Sequence, residues 1–199
     1  MNTLQKKRLI LYIAEELFCC YGLKNTTVRL ITENAGINTA MLNYYFVSKE
    51  DLFLLIIRSR IEKLMKAKRK LKLKNKSVLE KIVAYANFYI DLIVDYLPFY
   101  RLMLKEKLLN ENDRVVKLID FYLSSNMQRF KEILSKGIAE KKSGSVNIET
   151  FTVTLWGLML NIIFKIDGMS TISNEKEIMK FKEQVKEVIL IFFIENNLS

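Results

Sequence analysis

The chain contains no histidine. That removes histidine acid–base chemistry and histidine metal ligands. Its two cysteines, Cys19 and Cys20, are adjacent. Neighbours on a helix point apart, so no disulfide framework exists, which fits a reducing cytosol. The pair reads as small hydrophobes, with a redox sensor as the alternative. One proline and six glycines in 199 residues leave few breakers, which favours a mostly helical chain. The longest apolar run, Val188–Ile194, is too short to cross a bilayer. The polar, basic start, Met1 to Arg8, is not followed by the apolar core and cleavage site of a secretory signal. A cytoplasmic protein with no membrane partner is expected. A phosphate-binding glycine loop, metal-ligand spacing and a nucleophile–base pair are also missing, so the expectation is no enzyme, no cofactor and no metal.

What the chain does have is apolar residues at half its positions and a net charge of +10. The charge is uneven. Residues 1–76 hold 16 Lys+Arg and 6 Asp+Glu, whereas residues 77–199 hold 16 of each. A basic head on a neutral body reads as a nucleic-acid-binding part joined to something else. The lysine-rich stretch Lys66–Lys76 is either a solvated helix end or a source of extra phosphate contacts. A third use, as a membrane-binding helix, has only Leu71 and Leu73 to offer as apolar anchors.

Helical periodicity dominates, and about nine helices are expected in an all-α fold. Residues 3–21 carry Ile10, Ile13, Ala14, Leu17, Phe18 and Tyr21 on one face, with Gly22 as the stop. Thr27, Asn38, Ser48, Ser77, Asn147 and Asn174 are the expected caps of helices over about 28–35, 39–45, 49–72, 78–97, 148–167 and 175–196. Pro98 suits the first position of a helix over 98–110. A helix over 112–141 is expected to end before Ser143-Gly144-Ser145, and Gly168 to stop the one before it in turn.

The segment "GINTAMLNYYFVSKEDLF" (Gly36–Phe53) poses the functional question. A seven-residue helix is too short to be stable alone. Helix 28–35, the Gly36 turn and helix 39–45 form a helix-turn-helix. Leu17, Phe18, Ile31, Ile37, Leu42, Phe46, Leu52 and Phe53 are expected to clamp the short helix from one side. Its outer face then carries Asn38, Thr39, Ala40, Met41 and Tyr44 toward a DNA major groove. Asparagine can pair with adenine, and threonine or alanine can meet a thymine methyl. Thr27 and Arg29 at one helix start, and Ser48 and Lys49 at another, are expected to hold phosphates. Spacing turns Tyr44 outward and leaves Tyr45 half in the core. Spacing alone also allows plain packing in a helical domain.

"NTTVRLITENAGINTAMLNYYFVSKEDLF" (Asn25–Phe53) closely resembles the N-terminal signature of the TetR family of transcriptional regulators. Thr27, Arg29, Ile31, Ala35, Gly36, Leu42, Tyr45, Phe46, Ser48, Lys49 and Leu52 fall where that signature expects them. The preceding "AEELFCCYGL" resembles the end of the family's first helix, so the likeness covers about residues 8–55. Asn43 stands where the family usually has a phosphate-contacting tyrosine, Val47 where it often has proline, and Thr32 where alanine is usual. The resemblance implies a three-helix DNA-binding domain over 1–50 and a helical ligand-binding and dimerisation domain over 51–199. It implies a ligand-released repressor that binds a palindromic double-stranded DNA operator as a homodimer. The alternative is a DNA-bound adaptor that recruits a protein partner without a small effector.

The resemblance also gives the body two jobs. Tyr85, Phe88, Tyr89, Tyr96, Tyr100, Met103, Phe121, Trp156 and Met159 are candidates to line a pocket for a small, mostly apolar ligand, or else are ordinary core. Asp91 and Asp95, one turn apart, are the nearest polar groups to orient it. Phe151, Leu155, Leu158, Ile162, Phe181, Val185, Val188 and Phe192 give the last two expected helices more apolar surface than one buried stripe needs. They are the candidate dimer interface, with burial inside one chain as the alternative.

Overall fold

Capping residues set most of the helix starts. The computed structural model describes residues 2–141, 147–166 and 171–195. Its elements are α1 (Thr3–Asn25), α2 (Val28–Ala35), α3 (Thr39–Tyr45), α4 (Lys49–Arg69), α5 (Val78–Asp95), α6 (Leu97–Leu109), α7 (Asp113–Lys141), α8 (Ile148–Leu160), the single turn α9 (Ile162–Lys165) and α10 (Thr171–Glu195). Among the described residues there is no strand, so the fold is all-α. Thr27, Asn38, Ser77 and Asn147 each accept a backbone N–H from the third residue on, at 2.8–3.2 Å. Ser48 does the same for Asp51 at 3.0 Å. Each such bond satisfies a donor that the helix itself leaves orphaned.

Four expectations need correction. Gly22 breaks the helical geometry of α1 (φ 79°, ψ 172°), but the helix resumes to Asn25 rather than stopping. Pro98 is the second residue of α6, not the first; anywhere in the first turn its missing N–H costs nothing. The expected helix 148–167 breaks at Asn161 into α8 and α9. The last helix begins at Thr171, so Asn174 lies within it instead of capping it. The expected stops at Ser143-Gly144-Ser145 and Gly168 lie outside the described residues.

The chain packs as two units, residues 1–66 with 98–121, and residues 67–97 with 122–199. In the first, Ile10, Ala14 and Phe18 of α1 are fully buried together with Ile31 and Phe53. The Phe18 and Phe53 rings meet edge to face at 4.8 Å. Tyr21, expected on this face, is 50 % exposed. Half-buried Arg60 and Glu15 pair at 2.5 Å. Burial first, then Glu15 and Glu16, pushes the Cys19 thiol up to about 12. It stays a thiol at neutral pH, which suits packing and not redox reactivity.

In the second unit α5 packs on α10, and α8 packs on both. Tyr85, Tyr89, Phe130, Leu155, Val185 and Ile189 are buried in its core, with the Tyr89 and Trp156 rings 4.4 Å apart. The stretch Ile148–Lys165 is long and apolar enough to cross a membrane by composition. In the fold it is broken at Asn161, and Phe151, Leu155, Trp156 and Met159 are buried within the chain.

Candidate nucleic-acid interface

The short helix α3 is held from one side only. Leu42 and the following Phe46 are buried, and Ile37 is half-buried. Gly36, in the left-handed region at φ 62°, makes the turn from α2, and its N–H closes that helix on the Glu33 carbonyl. The opposite side is bare. Asn38, Thr39, Ala40, Asn43 and Tyr44 are exposed, and Met41 and Tyr45 are half-buried. Tyr44 is 79 % exposed with its ring edge-on to Tyr45 at 5.1 Å.

The polar groups on this face have different freedom. Asn38 Oδ1 accepts the Met41 N–H at 2.8 Å. The cap takes one lone pair of that oxygen and leaves Asn38 the other, with both Nδ2 donors. Asn43, exposed one turn on, has no such duty. Thr27 Oγ1 accepts the Leu30 N–H at 3.0 Å, leaving the other first-turn N–H groups of α2 open to an anion. Arg29 pairs with Glu33 at 2.7 Å in the open, a contact weak enough to exchange for a phosphate. Lys49 is more constrained: its Nζ donates to the Leu23 carbonyl at 2.8 Å, which leaves two of its three N–H groups.

Several contributors lie outside the residues expected from sequence. Lys7 sits over the Phe46 ring at 5.7 Å, tying the start of α1 to the end of α3. Thr26, fully buried, donates from Oγ1 to the carbonyls of Gly22 and Leu17, at 2.8 and 3.2 Å. This staples the broken end of α1 before α2 begins. Glu106 is buried on α6, and its carboxylate accepts the Leu23 N–H. Nothing distinguishes Thr26 from Thr27 in sequence. Glu106 did leave a signal, since it shares a helical face with Leu102 and Met103, both buried.

A model of the family described as "Bacterial regulatory proteins, tetR family" matches residues 10–56. These residues run from the first core position of α1 through α2 and α3 into α4. Over this segment the chain is similar to the tetR family of bacterial regulatory proteins. Solved structures share its fold. The ketosteroid transcriptional regulator KstR2 of Mycobacterium tuberculosis is 18 % identical, with 94 % of this chain and 95 % of that chain covered at a TM-score of 0.75. A TetR/AcrR family transcriptional regulator from Thermobifida fusca is 19 % identical, with 92 % and 97 % covered at 0.70. A Saccharomonospora viridis protein solved in complex with choline is 18 % identical, with 98 % of each covered at 0.72. At such identities the likeness speaks for the fold alone. No curated relative matches this chain's sequence.

The candidate dimer residues are mostly buried within the chain. Phe151, Leu155, Ile162, Phe181 and Val185 are buried within the chain, and Leu158, Val188 and Phe192 are half-buried. Phe192 stacks on Phe151 at 3.6 Å. Buried side chains cannot meet a second copy. Among the described residues, the large apolar side chains that α8, α9 and α10 leave exposed are Val153, Phe164, Met179, Ile191 and Ile194.

The candidate pocket residues also separate. Tyr85, Tyr89, Trp156 and Met159 are buried, and Phe88 and Tyr96 half-buried, in the second unit. Tyr100 and Met103 are buried in the first unit. Phe121, in the first unit, is 59 % exposed. Asp91 is paired with Lys182 of α10, which accounts for it without a ligand.

Proposed function

We propose that the chain is a transcriptional repressor that binds a palindromic operator as a homodimer and leaves it when a small effector binds. Residues 1–50 act as the reading head and residues 51–199 as the effector and dimer body. The bare outer face of α3 carries this reading. Thr39, Ala40, Asn43 and Tyr44 meet base edges in the major groove, with Met41 and Tyr45 at its margin. Thr27, Arg29 and Lys49 hold backbone phosphates, and Asn38 keeps the helix start in shape. Two copies joined through the exposed apolar residues of α8 to α10 place two heads on one operator. Nothing in this role calls for catalysis or a cofactor, and the cytoplasm is where the DNA is.

The effector shifts the DNA-bound population only by its different affinity for the two states. α4, which starts beside the reading head at Lys49 and runs to Arg69, is the element that carries the difference. The test is fluorescence anisotropy with the chain's own upstream DNA against scrambled DNA, across a salt series. Tight binding to one palindrome, lost on Tyr44→Ala or Thr39→Ala, is the expected result. Equal weak binding to both DNAs, unchanged by those substitutions, overturns the reading of α3. Operator binding that no small molecule releases would favour the adaptor instead.

A further inference from the structure

The second unit holds a cavity of about 490 Å³, a size typical of small-molecule sites. It is built from three pieces of chain. Lys68 and Arg69 come from the last turn of α4, Leu71 and Leu73 from the segment after it, Tyr85 from α5 and Arg129 from α7. One part of the wall is apolar and another is cationic. The single carboxylate in the wall, Glu132, pairs with Arg129 at 3.1 Å. Among the described residues, no carboxylate lies within ion-pairing distance of Lys68 or Arg69.

Lys68 is the unusual member. It is half-buried, and its Nζ donates to Asn126 Oδ1 at 2.7 Å. Asn126 is fully buried, with its Nδ2 donating to the Tyr89 hydroxyl at 3.4 Å and its carbonyl accepting from Tyr85 at 3.1 Å. The ammonium is thus anchored by a neutral oxygen and keeps two donors for another partner. Burial first, then Arg129 and Arg69, lowers its pKa, the sign of a positive charge short of compensation. Basic residues at the end of a helix often only complement its dipole. That accounts for Arg69. It does not account for Arg129, which is well inside α7, or for a lysine fixed on a buried asparagine.

We propose that this cavity takes a small amphiphile with one anionic group, a carboxylate or a phosphate on an apolar chain. The anion sits against Lys68 and Arg129, where hydrogen bonds and charge act together. The apolar part lies along Leu71, Leu73 and Tyr85. This narrows the mostly apolar ligand expected from sequence, and it rests on the reading of the body as an effector domain.

The test is isothermal titration and thermal shift on the full chain, with ligands below their micellar concentrations. The probes are decanoate, decyl phosphate, decanol, decyltrimethylammonium and inorganic phosphate. At least one anionic amphiphile should bind about tenfold or more tighter than decanol, an effect the size of one charge-assisted contact. Whether decanoate or decyl phosphate binds tighter identifies the head group. Decyltrimethylammonium and inorganic phosphate should not saturate in the same range. Lys68→Met should erase the preference for the anion while decanol binding stays. Because that change also strips Asn126 of a partner, Arg129→Gln, at an exposed position, is the control and should weaken the anion alone. Equal binding of decanol and the anions, no saturable binding by any of them, or variants that leave anion binding intact overturns the inference. Operator binding is read separately by anisotropy. A chain that binds DNA but no anionic amphiphile fails this inference alone, and one that binds the amphiphile but no DNA fails the regulator reading alone.

Discussion

α3 and α10 make opposite use of their outward faces. α3 has seven residues, buries chiefly Leu42, and leaves most of its face polar or aromatic and bare. α10 has 25 residues and carries the run Val188–Ile194, yet Val185, Ile189 and Phe193 are buried inside the chain and only part of the run reaches the surface. A short helix can be mostly surface because its neighbours hold it. A long one must first pack its own unit, and only the remainder is free for a partner. Counting apolar residues finds such a helix but does not say which of them face outward.

That contrast can be tested by breaking each part. Phe18→Ala empties a fully buried site beneath the helix-turn-helix and should cost about 3–5 kcal/mol in denaturant unfolding, with DNA binding lost as a consequence. Val185→Asp and Ile191→Asp form a matched pair on α10. The first buries an unpaired charge and should destabilise by about 4 kcal/mol or more. The second sits on a 55 % exposed residue and should leave the fold intact while shifting sedimentation from dimer to monomer. If both variants unfold, or both stay dimeric, the assignment of the interface to the exposed residues fails.

Smaller effects sharpen the picture at α3. Tyr44→Ala should leave the melting temperature unchanged and weaken operator binding by about 1–3 kcal/mol in anisotropy. Asn38→Ala should do something different and cost stability by about 1 kcal/mol through the lost cap.

The smallest effect concerns pH. Burial raises the Glu106 carboxyl above its usual range, with Lys105 opposing and Glu111 adding. The folded chain therefore holds this proton more tightly than the unfolded one. Its contribution to stability is greatest below the ordinary carboxylate pKa and declines as pH rises through the folded value. Glu106→Gln keeps an acceptor for the Leu23 N–H and should remove that decline, raising stability at neutral pH in melts run from acid to neutral buffer.

Local chemistry was legible in the sequence where one residue decides it. Thr27, Asn38, Ser48, Ser77 and Asn147 announced their helices because each cap is a single side chain reaching three residues on. Gly36 announced its turn for the same reason. The break at Asn161 was not legible, since no glycine or proline marks it among apolar neighbours. The early start of the last helix at Thr171 overrode a plausible cap at Asn174. Residues 67–76 hold six Lys+Arg and no acid, and so much of the basic excess that pointed to DNA. The structure assigns them to the second unit, where two of them line the cavity. Charge summed along a chain does not know which unit a segment will join.

The division of labour within α3 bears on how such a protein changes over generations. Thr39, Ala40, Asn43 and Tyr44 support no buried contact, so substitutions there scarcely touch the fold. Asn38, Leu42 and Phe46 hold the helix and are not free to vary in this way. After a gene duplication, one copy could drift toward a new operator through those four positions while both copies kept folding. The seven residues then behave as a replaceable key on a fixed bow.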